Sequence, residues 1–190
     1  MDLAILVDGS GSIKRNNFLR VKSFLKKLID SLVIGFSQTR VALVQFSRSA
    51  RVEFYFKRYG NARSVINAIN RMRQMRSGTY LHRGLKLTRT KVFQRWSGDR
   101  PNAPNTLLIL SDGATKYYKY ARQEALNMKR LGVHVMSVGI GNPKTVRRFY
   151  GQLRSYASSR LVNNVFQHKF SGLDKIARKI GRMACKSKSN

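Results

Sequence analysis

Five oxygen-bearing side chains are spaced along the sequence so that they could converge on one point of the fold. They are Asp8, Ser10, Ser12, Thr79 and Asp112, of which the first three alternate with glycines in one short segment. Carboxylate and hydroxyl oxygens are the hard ligands that Mg²⁺, Mn²⁺ and Ca²⁺ prefer. We predict a divalent cation here, with Mg²⁺ favoured, because a Mg²⁺ ion with few protein ligands keeps a position for a carboxylate from another molecule.

The elements around these residues are predicted to place them at one edge of a sheet. Residues 3–7 and 106–110 are continuous apolar runs, typical of strands buried on both faces, and each leads directly to Asp8 or Asp112. Such strands alternate with amphipathic helices, which indicates an α/β fold with a doubly wound, mostly parallel sheet and helices on both faces. Ligands of these sheets bind beyond the carboxyl ends of the strands, where the winding reverses.

The other periodicities predict about six strands in total. Residues 51–56 alternate apolar and polar side chains, as a half-exposed, antiparallel edge strand does. The remaining strands are predicted at 40–46, 133–138 and 162–166, and helices at 18–32, 65–72, 81–92, 120–131, from 143 onward and at 173–180.

Length and composition favour one folded domain. The 190 residues are predicted to form a single domain at 1–185, followed by a basic tail at 186–190. An apolar content of 42% allows a sizeable core and excludes the disordered class. No apolar run approaches the ~20 residues needed to span a bilayer, so we expect no membrane span.

The charge balance is strongly basic. Lys and Arg total 38 against 8 Asp and Glu, a formal net charge of +30, and basic residues occur on almost every predicted helix. This distribution favours a broad surface that binds polyanions such as glycosaminoglycans. Nucleic-acid motifs with interleaved aromatic residues are absent from the sequence, so no dedicated DNA or RNA site is expected.

Catalytic interpretations fail on residue type. The Asp8 segment is similar to the nucleophile loop of haloacid-dehalogenase-like phosphatases, but Ser10 stands where the second acid is needed, so a general acid is missing. The three histidines are scattered along the chain, and among them His82 is the one that could approach the metal turn. We therefore expect a binding domain and not an enzyme.

Three separated motifs carry a family resemblance. They are Asp8-Gly9-Ser10-Gly11-Ser12, Ser77-Gly78-Thr79-Tyr80 and Leu110-Ser111-Asp112-Gly113. In this order they resemble the metal-ion-dependent adhesion site of von Willebrand factor type A domains, and the likeness covers nearly the whole chain. It implies a Rossmann-like fold and the five metal ligands. Leu81 departs from the pattern, because many members have a second Thr there, and a secondary hydrogen bond is expected to be absent.

The resemblance also implies a secreted, extracellular domain whose metal accepts an acidic side chain from a partner. Matrix-type A domains of matrilins, type VI collagen and molluscan byssal proteins are similar, and so are the gliding adhesins of apicomplexan parasites, and the sequence leaves both open. Matrix proteins such as collagen are expected partners. The residues expected to surround the metal and contact the ligand are Lys14, Arg15, Tyr80, Lys116, Tyr117 and Lys119.

Cys185 is the single cysteine of the chain. It is compatible with a free thiol or with half of a disulfide. Because the termini of such domains lie close together, the resemblance implies a bridge to a cysteine just before residue 1. Such a bridge would restrict the unfolded chain and stabilise the domain by about a few kcal/mol.

The sequence alone leaves two other functions open. A structural polyelectrolyte associated with matrix or mineral would act by charge alone, with a vestigial metal site. An intracellular A domain in a nucleic-acid or chaperone complex would keep Cys185 reduced. Binding that ignores EDTA but falls with salt would favour the polyelectrolyte.

Overall fold

One sheet forms the centre of the structure, a computed structural model that describes residues 1–112, 115–158 and 165–186. Within these ranges six strands are present: β1 (Asp2–Asp8), β2 (Arg40–Phe46), β3 (Ala50–Phe54), β4 (Asn105–Ser111), β5 (His134–Ile140) and β6 (Val165–His168). Their order is β3-β2-β1-β4-β5-β6, and only β3 runs antiparallel to its neighbour. The predicted doubly wound, mostly parallel sheet with an antiparallel edge strand is confirmed.

The helices cover both faces of this sheet. They are α1 (Arg15–Asp30), α2 (Ala62–Arg71), α3 (Leu81–Leu87), α4 (Tyr118–Arg130), α5 (Pro143–Arg148), α6 (Tyr150–Tyr156) and α7 (Leu173–Lys186). Alternation along β1 explains the two layers: Leu3 and Ile5 join the core beneath α1, α2 and α7, whereas Ala4 and Leu6 join the core beneath α3 and α4. Both faces of β1 are therefore buried, as its continuous apolar sequence predicts.

Several boundaries differ from the expectations. The edge strand ends at Phe54, because the chain turns at Tyr55, whose carbonyl accepts a hydrogen bond from the Arg58 amide. The helix expected at 81–92 is α-helical only to Leu87 and continues as a π-helical turn to Val92. The last strand lies at Val165–His168, and residues 162–164 of the expected strand lie outside the described part of the chain.

The topology fixes where the candidate ligands meet. The chain builds β1, β2 and β3 in one direction and then β4, β5 and β6 in the other, so the winding reverses between the adjacent strands β1 and β4. Asp8 is the last residue of β1, and Asp112 follows the last residue of β4. Both carboxylates thus lie at the switch point of the sheet, where such folds bind ligands.

The division into a domain at 1–185 and a tail at 186–190 stays a prediction. Helix α7 runs to Lys186, and residues 187–190 lie outside the described ranges. No helix in the described part of the chain is both long and apolar enough to cross a bilayer.

Candidate metal centre

Asp8 is fully buried at the end of β1 and organises the turn that follows. Its Oδ1 accepts a hydrogen bond from the Ser10 amide at 2.9 Å, and its Oδ2 accepts one from the Ser111 hydroxyl at 3.0 Å. Asp8 thereby ties the turn after β1 to the end of β4. Both of its oxygens have protein donors, so in this structure Asp8 positions the turn from below.

Three further candidate ligands form a hydrogen-bonded chain above Asp8. The hydroxyl oxygens of Ser10 and Ser12 are 2.8 Å apart, and the Ser12 hydroxyl donates to Oδ2 of Asp112 at 2.5 Å. Ser10 is buried, whereas Ser12 is exposed. The structure therefore brings four of the five predicted ligands together across a sequence separation of a hundred residues.

The electrostatics of this cluster are unfavourable for two carboxylates without a cation. Burial, followed by the negative charge of Asp112, raises the pKa of Asp8 from its ordinary value of 3.8 to about 7, although hydrogen bonds from Ser10 and Ser111 act in the opposite direction. A divalent cation would offset both the desolvation and the repulsion. The donor set of carboxylates and hydroxyls suits a hard cation.

Thr79, the fifth candidate, is placed by backbone contacts. The Gly11 amide donates to the Ser77 carbonyl at 2.8 Å, which joins the metal turn to the segment that carries Thr79. Thr79 itself accepts hydrogen bonds at its carbonyl from the Lys116 amide at 2.9 Å and the Thr115 hydroxyl at 3.2 Å. Among the described residues its hydroxyl has no hydrogen-bond partner, so this oxygen is available to a cation.

Gln45 supports the turn from the neighbouring strand β2. Its side chain lies so close to Gly9 that a Cβ added at Gly9 would be 2.0 Å from Oε1 of Gln45, which explains why glycine is required there. The same Oε1 accepts from the Met75 amide at 2.8 Å, and Nε2 donates to the Arg73 carbonyl at 3.0 Å. Gln45 therefore holds the loop before Thr79 against the turn after β1.

Gln74 and Ser47 complete this support. Nε2 of Gln74 donates to the carbonyls of Ser10 at 2.9 Å and Ile13 at 2.7 Å. The Ser47 hydroxyl accepts from the Ser77 amide at 2.8 Å. The sequence carries no recognisable signal for these roles, because each depends on loop contacts between distant segments.

An aromatic cluster lies beside the Thr79 segment. The rings of Tyr80 and Tyr117 are 5.6 Å apart, and His82 lies 5.5 Å from Tyr117. Tyr120 contacts Tyr117 at 6.1 Å, and Lys116 lies over the Tyr80 ring at 5.8 Å. Three of the predicted ligand-contact residues, Tyr80, Lys116 and Tyr117, are therefore brought together. We name the group formed by these three residues, His82 and Tyr120 the aromatic cluster.

Two tyrosines of the aromatic cluster are exposed to solvent. Tyr117 and Tyr120 are 57% and 65% exposed, and Tyr117 has a left-handed backbone with φ of 59°. Burial, followed by the charge of Arg83, lowers the pKa of His82, while Glu124 opposes the shift. His82 takes part in the cluster through ring contacts with Tyr80, Tyr117 and Tyr120.

The other expected ligand-contact residues lie a few positions from Ser12 or Tyr117 in the sequence, but they take no part in the aromatic cluster. Lys14 and Arg15 are exposed at the start of α1, and Lys119 is exposed in α4. Leu81, the departure from the family pattern, is buried in the core beneath α3 and α4. Cys185 lies in α7, but its side chain is outside the described part of the structure, so its disulfide stays a prediction.

The ligand types of the candidate metal centre indicate which kind of cation site it resembles. Within the described residues there is no group of three or more His, Cys, Asp or Glu that could hold a metal ion. A site that combines two carboxylates with hydroxyls, as this one does, is instead suited to a cation that retains waters or accepts an external carboxylate.

Comparison with known proteins identifies relatives in sequence. The family model for the von Willebrand factor type A domain matches residues 2–179. Matrilin-1 of Gallus gallus is 31% identical over 186 residues, which cover 97% of this chain and 36% of the matrilin. The collagen alpha-6(VI) chain of Mus musculus is 32% identical over 190 residues, which cover 98% of this chain and 8% of the collagen chain. The chain thus spans about a third of the matrilin's length.

Solved structures show the same architecture. Proximal thread matrix protein 1 from the mussel byssus matches with a TM-score of 0.86 and 26% identity over 97% of this chain and 48% of its own. A second structure of that protein, with a zinc-occupied adhesion-site motif, has a TM-score of 0.83 and 27% identity over 97% of this chain and 45% of its own. A neighbour of the same fold therefore holds a divalent metal at this motif.

Proposed function

Because this chain belongs to the von Willebrand factor type A domain family, and its relatives are extracellular matrix proteins, we propose that it is a non-enzymatic, secreted binding domain with a metal-dependent adhesion site. The observation that carries the proposal is the convergence of Asp8, Ser10, Ser12 and Asp112 at the switch point of the sheet. The relatives' names and the zinc-bound neighbour support a matrix role and a divalent metal.

Each residue of the centre has a distinct proposed role. Ser10 and Ser12 offer hydroxyl oxygens, Thr79 offers a hydroxyl that has no hydrogen-bond partner among the described residues, and Asp112 offers a carboxylate. Asp8 keeps its hydrogen bonds to the turn and acts directly or through water. Bound Mg²⁺, which we favour over Mn²⁺ and Ca²⁺, would supply a position for an Asp or Glu carboxylate of the partner.

The aromatic cluster and the cations around it are proposed to select the partner. Lys14, Arg15, Lys116 and Lys119 favour an acidic ligand by attraction, while Tyr80 and Tyr117 offer ring surface beside the metal. We propose matrix proteins such as collagen as partners of this face. The cations also repel the metal, so we expect modest metal affinity without the ligand.

The first prediction concerns the metal itself. Calorimetric titration with Mg²⁺, Mn²⁺ and Ca²⁺ should show one saturable site, and Ser12→Ala should weaken it by about tenfold or more, because one hydroxyl ligand is lost. Asp112→Ala should weaken it further. Ser12 is exposed, so its removal should leave the fold intact. Ser37→Ala, an exposed serine just before β2, is the control.

The ligand is tested with immobilised collagen at constant ionic strength. Binding in Mg²⁺ that disappears with EDTA, and that Ser12→Ala abolishes, would support the proposal. Absence of any saturable metal site in the unmodified protein, or an unchanged site in Asp112→Ala, would contradict it.

A second function, polyanion binding by charge alone, is favoured by the pairing of the acids. Asp2 pairs with Arg100, Glu53 with Arg51 and Glu124 with Arg89, each at 2.7 or 2.8 Å. Few acids therefore remain to neutralise the exposed Lys and Arg side chains. A heparin column run with EDTA should retain the protein at low salt and release it as the salt concentration rises.

A further inference from the structure

A groove of about 440 Å³ lies along the sheet edge at β3, two strands away from β1. Its walls are Val52, Glu53, Phe54, Tyr55, Lys57 and Arg58, and the guanidinium of Arg58 lies over the Tyr59 ring at 5.7 Å. Among the described strands β3 pairs only with β2, so this side of the sheet is open. The groove shares no residue with the candidate metal centre.

An exposed indole stands beside this groove. Trp96 is 51% exposed, and its ring packs against that of Tyr55 at an angle of 63°, with 5.1 Å between the ring centroids. The turn Arg95–Ser97 that carries it is anchored by the Lys57 amide, which donates to the Ser97 carbonyl at 3.1 Å. Gly98, with φ of 96°, permits this close approach, because a Cβ there would lie 2.7 Å from the Lys57 nitrogen. A large apolar ring is thus held facing solvent by a well-anchored turn.

Three cationic residues belong to the groove or to the turn that carries the indole: Lys57 and Arg58 line the groove, and Arg95 directly precedes Trp96. Lys57, Arg58 and Arg95 are exposed, and within the described ranges none of them has a carboxylate partner. The nearest acid along the strand, Glu53, already accepts hydrogen bonds from Arg51 at 2.7 Å and from Gln45 at 2.9 Å. The charges of Lys57, Arg58 and Arg95 are therefore not neutralised by an ion pair within the described part of the chain.

We propose that Trp96, Tyr55, Lys57, Arg58 and Arg95 form a binding site for a sulfated sugar chain. A sugar ring presents a face of C–H groups that packs on an indole, while its sulfate and carboxylate groups lie at the ring edge, where Lys and Arg side chains can pair with them. This site rests on the polyanion binding proposed above and gives it a location.

An acidic peptide that adds a strand to β3 is the competing occupant, and the strand itself disfavours it. β3 has five residues, carries Arg51 and Glu53, and has an irregular register with β2 between Leu43 and Val44. Short length, charged side chains and bulges are features that oppose strand addition at sheet edges. Charge complementarity together with an aromatic ring surface therefore favours the sugar.

The chain contains one tryptophan, so its intrinsic tryptophan fluorescence reports on this site alone. A heparin-derived hexasaccharide, titrated in low salt with EDTA present, should change Trp96 fluorescence in a saturable manner and reduce its quenching by acrylamide. Lys57→Ala with Arg58→Ala should weaken the affinity by about tenfold, the loss of two ion pairs. Arg20→Ala with Arg63→Ala removes equal charge from exposed helix positions, and should weaken it less than about twofold.

The outcomes separate this site from general polyanion binding. Retention of heparin binding with no change in Trp96 fluorescence, or equal weakening by both double variants, would overturn the site while leaving the polyanion proposal intact. Failure of the unmodified protein to bind heparin would overturn both. Equal affinity for a poly-glutamate peptide would overturn the preference for sugar. Arg95→Ala, in an exposed turn, provides a second variant should the double variant fail to fold.

Discussion

Asp99 lies beside a buried ion pair near the start of β1. Asp2 is fully buried and accepts hydrogen bonds from the Arg100 side chain at 2.7 and 3.0 Å. Burial, followed by the negative charge of Asp2, raises the pKa of Asp99 from its ordinary value of 3.8 to about 6, against the effects of Asn105 and Arg100. Oδ1 of Asp99 and Oδ1 of Asn105 are both buried without a hydrogen-bond partner among the described residues. The ionised form of Asp99 is therefore destabilised in the folded protein.

The raised pKa of Asp99 predicts how its replacement changes stability with pH. Between pH 4 and 6 the folded state holds this proton more tightly than the unfolded state, so Asp99 makes the free energy of unfolding fall as pH rises, and the loss persists above pH 6. Asp99→Asn removes the charge and should raise stability at pH 7 by about 1 kcal/mol, a value reduced for partial solvent exposure.

Urea unfolding at several pH values tests this replacement. Asp99→Asn and the unmodified protein should be equally stable near pH 4 and should diverge toward pH 7. A variant that is less stable than the unmodified protein at pH 7 would show that the folded state compensates the charge of Asp99, which would contradict this prediction. Asn102→Ala, at an exposed position of the same loop, removes no titratable group and is the control, so its stability should follow that of the unmodified protein at every pH.

The residues that could be predicted from the sequence are those with a local signal. Asp8, Ser10 and Ser12 share one turn, and Asp112 follows an apolar strand, so residue type and spacing were enough to group them. Gln45 could not be predicted, because a glutamine in an apolar strand carries no indication that distant loop amides will donate to it. Such supporting contacts depend on loop conformation and not on periodicity.

At the scale of elements, the loop from Met72 to Tyr80 supports the metal turn without regular structure of its own. Gln74 joins the two segments, because its Nε2 donates to the carbonyls of Ser10 and Ile13. Gln74→Ala should lower the free energy of unfolding by about 1–2 kcal/mol through two lost hydrogen bonds. It should also weaken metal binding by about tenfold, because supporting residues orient the ligands.

Gln123→Ala provides the comparison for this change. Gln123 lies on the exposed side of α4, and within the described ranges its side chain donates only to the Asn127 side chain, at 3.0 Å. It should change stability by less than about 0.5 kcal/mol and leave metal binding unchanged. Chemical denaturation and metal titration of both variants measure the two effects. An unchanged metal affinity in Gln74→Ala would mean that the turn keeps its shape without this support.

Element types could be predicted from periodicity, whereas some element ends could not. The α-helix beginning at Leu81 gives way to a π-helical turn at Thr88, whose hydroxyl donates to the Gly84 carbonyl at 2.8 Å. The apolar spacing of Leu81, Leu85 and Val92 fits a continuous helix, so the sequence offered no sign of the change. A polar side chain that bonds to the backbone within a helix alters its geometry without altering its hydrophobic pattern.

At the scale of the whole molecule, the net charge of +30 affects both the stability of the folded state and the attraction of polyanions. The three ion pairs of the described residues place their acids in protected positions: Asp2 is fully buried, and the side chains of Glu53 and Glu124 are 16% and 17% exposed. Repulsion between unpaired cations on the surface destabilises the compact state, and added salt screens it. Stability and polyanion binding should therefore respond to salt in opposite directions.

This opposition gives the last prediction. Raising NaCl from about 20 to 500 mM should raise the thermal midpoint of the unliganded protein by about 2–4 °C, the effect of about 1 kcal/mol for a domain of this size, while heparin retention falls over the same range. The variant with Arg20→Glu, Arg63→Glu and Arg122→Glu, all at exposed helix positions, lowers the net charge by about six and should reduce the slope of both dependences. Differential scanning calorimetry and column elution measure them. A thermal midpoint that is flat or falls with NaCl would mean that the cations are spaced too widely to repel one another, and heparin binding would then depend on local sites such as that at Trp96 and not on the overall field.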